Sequence, residues 1–158
     1  MMILLLAAGI FFWDYSLKRK MEQTLAEGEE RDLLHGKAKL CLLYNKGAVM
    51  GVLKEQRGIL NTITVAVVTL LFFFVPGFQK KRGTLASVFM GLILGGALGN
   101  AYDRLLHGKV TDYIRFPKLP GKLCHIVFNL ADFCLMFGGL GTIFTAKETK
   151  KVELLRKY

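Results

Sequence analysis

Four apolar runs divide the chain: Met1–Leu17, Ile59–Phe78, Leu85–Ala101 and Cys124–Ala146. Each approaches the ~20 residues needed to cross the hydrocarbon of a bilayer. A chain in lipid must satisfy its own backbone hydrogen bonds, so each run is predicted to be a helix. The first is the shortest and contains Asp14. It has neither a basic start nor a small-residue cleavage site, so it is expected to be retained and not removed as a signal peptide. The third repeats Gly91, Gly95 and Gly99 at four-residue spacing. Such a ridge lets a neighbouring helix backbone come close, and plain packing is the simpler use for it.

The polar connections differ in kind. Within Lys18–Gly58, the stretch MEQTLAEGEERDLLHGK reads as a solvated segment, and Lys37–Leu53 reads as a small antiparallel sheet on the membrane surface. Gln79–Gly83 is a tight basic turn with Lys80, Lys81 and Arg82. Tyr102–Leu123 contains Pro117 and Pro120, which disfavour one continuous helix. No internal repeat or low-complexity linker divides the chain, so residues 1–158 are read as a single domain.

Composition agrees with the pattern. Hydrophobic residues make up 53% of the chain, and mean hydropathy is +0.38, too apolar for an ordinary soluble domain. A net charge of +10 raises the question of nucleic acid, but the basic residues flank apolar runs instead of forming a stripe, so no nucleic-acid partner is expected. Basic residues beside spans meet lipid headgroups and influence topology. Here Lys and Arg number eight on the side of the two termini and fourteen on the other, so the raw count favours the termini outside. Cys41, Cys124 and Cys134 show neither a disulfide framework nor metal-ligand spacing, and His35, His107 and His125 are scattered.

Ionisable residues inside membrane spans are costly, and here they cluster. Asp14 and Lys18 share a face of the first helix. Asn100, Asp103 and Arg104 lie at the end of the third run, Asp112 in the loop that follows, and Asn129 with Asp132 near the start of the fourth. The alternation of spans brings all of them to one membrane face. Two carboxylates sharing a site do not both ionise cheaply, so one keeps a proton while the other takes one from water. That is the equipment of an aspartic hydrolase. The residues alone leave a structural use, buried ion pairs that lock helix packing, equally open, and a proton or ion relay is a third use.

The motifs narrow the choice. YNKGAVMGVL, then GGALGNAYDRLLHGKVTDYI, then FNLADF resemble the lipoprotein signal peptidase family, also called signal peptidase II. Its middle block, GNxxDRxxxGxVxDF, is matched at Gly99, Asn100, Asp103, Arg104, Gly108, Val110 and Asp112, with Tyr113 for the usual Phe. Its last block is matched at Phe128, Asn129, Ala131 and Asp132, its first at Asn45, Gly47 and Ala48, and its DxxxK at Asp14 and Lys18. Val49, Met50, Phe133 and Cys134 depart from the family pattern, which bears on substrate range.

The resemblance implies a four-helix membrane fold, with a small extracytoplasmic β-sheet between spans 1 and 2 and both termini in the bacterial cytoplasm. It implies Asp112 and Asp132 as the catalytic pair, with Asn100, Asp103, Arg104 and Asn129 in support. Asn45 would contact the substrate backbone, and Asp14 and Lys18 would be structural. The implied substrates are prolipoproteins carrying diacylglyceryl on the lipobox cysteine, cut just before that cysteine. Neither metal nor organic cofactor is implied, and the protein is expected to act as a monomer among membrane lipids. A non-catalytic lipid- or lipopeptide-binding paralogue of the same fold is the alternative.

Overall fold

The computed structural model describes residues 1–47, 55–81 and 83–155, with side chains at 1–47, 55–78 and 83–147. Ala48–Leu53, Arg82 and the end of the tail, on which parts of the sequence reading fall, lie outside the described residues.

Four long helices form: α1 (Met2–Thr24), α2 (Arg57–Lys81), α3 (Gly83–Tyr102) and α4 (Leu130–Leu155). Among the described residues, three apolar segments are long enough to cross a membrane, namely Arg57–Phe78, Gly83–His107 and Leu130–Lys147. The second half of α1 carries Asp14, Lys18, Arg19, Lys20 and Glu22, so length and composition alone do not mark it as a span. Large apolar side chains point outward from α2 and α4, among them Phe72, Phe73, Phe74, Phe137, Leu140 and Phe144. In water such a surface would be a liability, and in lipid it is the solvent-facing side.

The helix α3 is central, buried along most of its length by α1, α2 and α4. Its glycines make this possible. A Cβ on Gly95 would stand 2.8 Å from the Ala7 carbonyl of α1, and one on Gly96 would stand 2.6 Å from the Ala131 carbonyl of α4. Gly91 likewise faces Leu6, and Gly99 faces Asp14, so the glycine ridge is a packing surface for α1. On α1 the buried positions Ile3, Ala7, Ile10, Asp14 and Lys18 recur at helical spacing. The apolar end of this stripe joins Val75, Met90 and Leu94 in the core, and its charged end reaches the site.

Beyond α3, one π-helical turn, Asp103–His107, ends at Gly108, whose φ of 65° and N–H bond to the Arg104 carbonyl reverse the chain into a strand. Four short strands form one antiparallel sheet in the order β1 (Glu30–Leu33), β2 (Ala38–Asn45), β3 (Val110–Arg115) and β4 (Val127–Phe128).

The structure corrects the sequence reading in four places. Gln79, Lys80 and Lys81, read as part of a tight turn, instead continue α2. The sheet is not confined to the first connection, because β3 and β4 come from the second, and Asp112 lies on a strand and not in a loop. The segment read as solvated instead completes α1 to Thr24 and supplies β1, since backbone pairing with β2 outweighs its polar composition. The fourth helix starts at Leu130, not Cys124, because a 3₁₀ turn at Gly121–His125 and β4 occupy its expected start.

Candidate active site

The site is built around the start of α4. The first four N–H groups of a helix have no partner within it. Here all four are met by side chains. Asn129 N–H donates to Asp132 Oδ2 at 3.1 Å, and Asp132 N–H donates to Asn129 Oδ1 at 2.9 Å. This reciprocal pair is a capping box, which gives the NxxD spacing a physical reason. Leu130 N–H donates to the Tyr113 hydroxyl of β3 at 3.1 Å, and Ala131 N–H donates to Asp14 Oδ1 of α1 at 2.9 Å.

The side chain of Asn129, fully buried, reaches the other way. Its Nδ2 donates to Asp112 Oδ1 at 2.7 Å and to Asn100 Oδ1 at 3.1 Å. Asn100 Nδ2 in turn donates to Asp132 Oδ1 at 2.9 Å. Two carboxamides therefore join Asp112 on the sheet to Asp132 on the helix. Asn45 Nδ2, from β2, donates to Asp112 Oδ2 at 3.3 Å, while Asn45 Oδ1 accepts the Gly47 N–H at 3.0 Å.

Below this pair lies a buried charge cluster. Lys18 Nζ is ion-paired with Asp14 Oδ2 at 2.7 Å and Asp103 Oδ2 at 3.1 Å, and it donates to Asn100 Oδ1 at 3.0 Å. Asp103 also receives the Thr111 N–H at 3.3 Å and faces Arg19 and His107 at 3.5 and 3.7 Å. Thr111 Oγ1 donates to Glu22 Oε1 at 2.6 Å. Asp14, Lys18 and Glu22 thus form a stripe of i, i+4, i+8 along α1, each touching a different element of the site.

Two adjoining cavities of about 440 and 480 Å³ share Asn45 and Asp112 in their walls. The first is also lined by Asp132, Arg104, Phe133 and Met136, the second by Lys46, Lys122 and His125. Burial, then the charge of Asp132, pushes the Asp112 carboxyl up to about 7, against the pull of the Asn45 and Asn129 N–H groups. Among the described residues no cluster of His, Cys, Asp and Glu has metal-holding geometry.

The structure brings Asp112, Asp132, Asn45, Asn100, Asn129, Asp103, Asp14 and Lys18 into one hydrogen-bonded network. Arg104 joins only as a cavity wall, with its Nε unpartnered. Sequence reasoning missed Glu22, Thr111 and the hydroxyl of Tyr113. Glu22 could have been found by extending the Asp14–Lys18 stripe one more turn. Of the departures from the motif, Phe133 packs edge-to-face on Phe116 and at a tilt against Phe128 beside the cavity, and Cys134 is a small residue against Gly96.

A mostly helical membrane fold with a small antiparallel sheet is one that known proteins share. A family model described as Signal peptidase (SPase) II matches residues 6–147. The chain belongs to the signal peptidase II family, whose members are membrane-embedded proteases acting on lipoprotein precursors. It is 30% identical over 152 residues to the lipoprotein signal peptidase of Halothermothrix orenii, covering 96% of this chain and 99% of that one. It is 33% identical over 139 residues to that of Azoarcus sp., covering 85% of this chain and 76% of the relative. Two solved structures, each described as a bacterial membrane enzyme determined by the in meso method, are similar in fold. One has a TM-score of 0.82 at 25% identity, covering 94% of this chain and 89% of that one, and the other has a TM-score of 0.79 at 26% identity, covering 92% of each.

Proposed function

We propose that this protein is an aspartic endopeptidase that removes the signal peptide from diacylglyceryl-modified prolipoproteins, cutting just before the lipidated cysteine. The observation that carries the reading is the joining of Asp112 and Asp132 by Asn129 and Asn100 beside a shared cavity. Each carboxylate accepts two N–H bonds, but Asp132 also sits in the first turn of α4, where the helix dipole favours negative charge. The pair's charge is therefore drawn to Asp132 and its proton to Asp112.

In that state Asp132 takes a proton from water while the water oxygen bonds to the scissile carbonyl carbon. Asp112 gives its proton to the carbonyl oxygen, leaving a tetrahedral diol. The C–N bond then breaks as Asp132 passes its proton to the departing nitrogen, and a diol hydroxyl returns a proton to Asp112. No metal or organic cofactor is needed for this balance. Support from Asn100, Asp103 and Asn129 keeps the pair in register, Arg104 lines the cavity beside it, Asn45 borders the space a substrate backbone would fill, and Asp14 with Lys18 acts from below. The apolar wall at Phe133 and Met136 suits lipid, whose burial contributes roughly 0.8 kcal/mol per methylene.

The same reading takes α1 as a fourth span, entering lipid through its apolar first half. It sets the protein in the bacterial cytoplasmic membrane as a monomer, with the termini and Lys80–Arg82 in the cytoplasm and the site near the outer face, where exported substrate arrives. Reporter fusions at Tyr158 test the orientation, and an outside-facing tail overturns it. Conversion of a lipidated precursor by purified protein, normalised to folded material, tests the chemistry. Asp112→Asn and Asp132→Asn each abolish cleavage, and near-normal turnover in either removes that residue from the mechanism. Asp14→Asn and Asp103→Asn act through stability and leave measurable activity.

A further inference from the structure

The carboxamide of Asn100 has one orientation that its neighbours accept. Its Oδ1 lies 3.0 Å from Lys18 Nζ and 3.1 Å from Asn129 Nδ2, and its Nδ2 lies 2.9 Å from Asp132 Oδ1. Turned over, the amide would set N–H against the ammonium and oxygen against the carboxylate. An ammonium has three donors and no acceptor, so it admits only the first orientation. Lys18 is itself 1% exposed, and its ion pairs with Asp14 and Asp103 hold the ammonium in place.

The consequence runs to both carboxylates. With Oδ1 fixed inward, Asn100 must aim Nδ2 at Asp132. The same oxygen takes one N–H of Asn129, whose Nδ2 also serves Asp112 at 2.7 Å while Asn129 Oδ1 is occupied by the Asp132 N–H. The amide of Asn129 is thereby fixed as well.

We infer that Lys18 is a positioning residue for hydrolysis: acting through Asn100, it sets the orientation of both carboxamides so that an N–H faces each member of the aspartate pair. This rests on the peptidase reading above and extends it, since Lys18 makes no direct hydrogen bond or ion pair with Asp112 or Asp132 and, beyond the longer-range field of its charge on both, acts on them through Asn100.

The test is steady-state cleavage of a lipidated precursor by purified full-length protein, with folded fraction and thermal midpoint measured alongside. Lys18→Met, close in shape and without donors, lowers kcat about 10- to 100-fold, the worth of one hydrogen bond to a charged group, with KM unchanged. Lys18→Gln, which keeps an N–H for Asn100, recovers part of that loss. If the uncompensated Asp14 prevents folding, Asp14→Asn/Lys18→Met is compared with Asp14→Asn alone, because a carboxamide at position 14 can still accept the Ala131 N–H. In an Asn100→Ala background the same change at Lys18 has no further effect on kcat. A kcat within twofold of the parent in folded protein, a change confined to KM, no recovery with Lys18→Gln, or losses that multiply in the double variant each overturn the inference. Retained activity in Asp112→Asn or Asp132→Asn, run in the same assay, overturns the peptidase reading instead.

Discussion

The Leu130 N–H donates to the Tyr113 hydroxyl at 3.1 Å, so the strand that carries Asp112 holds the helix that carries Asp132. The phenol is one of the four side chains that cap the start of α4, and it stands where the family motif has Phe. Tyr113→Phe leaves one cap unmet. It is expected to cost about 1 kcal/mol, read as a lower thermal midpoint in detergent, with activity reduced less than twofold at temperatures where the protein stays folded.

A second expectation concerns pH. The Asp112 carboxyl is pushed up from 3.8 to about 7 by burial and by Asp132. Its folded value is raised, so its contribution to stability is complete below about 3.8 and is lost as pH rises through about 7. Activity should likewise fall on the alkaline side, with a midpoint near 7, as Asp112 loses its proton. The Asn45 N–H favours the ionised form. Asn45→Ala therefore moves that midpoint up by about 1 pH unit, and a downward move in the pH–rate profile would contradict the assignment.

The packing of α3 yields a pair of contrasting variants. A Cβ at Gly96 would press on the Ala131 carbonyl at 2.6 Å, in the first turn of α4. Gly96→Ala is expected to cost about 1–3 kcal/mol and to reduce activity in what folds, because the backbone it displaces adjoins Asp132. A Cβ at Gly139, on α4 itself, would meet nothing within 4 Å. Gly139→Ala should be neutral to stabilising, by up to about 1 kcal/mol from helix propensity. Thermal unfolding of the two purified variants separates close packing from helix propensity.

Glu22 and Thr111 offer a coupling measurement. Their 2.6 Å bond ties α1 to the residue before Asp112. Thr111→Val and Glu22→Leu should each lower activity a few-fold, and a double-mutant cycle should return a coupling of about 1 kcal/mol. Glu22→Gln keeps an acceptor for the hydroxyl and should behave nearly as the parent. Additive losses would place the two residues in separate roles.

Much of the site was legible in the sequence because its residues sit in short, fixed spacings. Asn129 and Asp132 are a capping box, and Asp14 and Lys18 are one helical turn apart, so local geometry alone pairs them. Apolar length located α2 and α3 to within a few residues. What escaped was set by partners distant in sequence. Nothing local marks Glu30–Leu33 as a strand, because its pairing with Ala38–Cys41 decides it. Val110–Arg115 becomes a strand by pairing with β2, some 70 residues earlier, and that pairing lifts Asp112 out of a loop. The hydroxyl of Tyr113 drew no notice because its partner is a backbone N–H seventeen residues on.

The complete capping of α4 has a catalytic consequence. A helix start ordinarily offers free N–H groups to an anion, but here all four are taken by protein side chains. This helix end therefore has nothing left to serve as an oxyanion hole. In the proposed reaction, negative charge developing on the scissile carbonyl is therefore expected to meet side chains at this end of the cavity: the proton of Asp112, and the guanidinium of Arg104, the one cation among the described residues lining it.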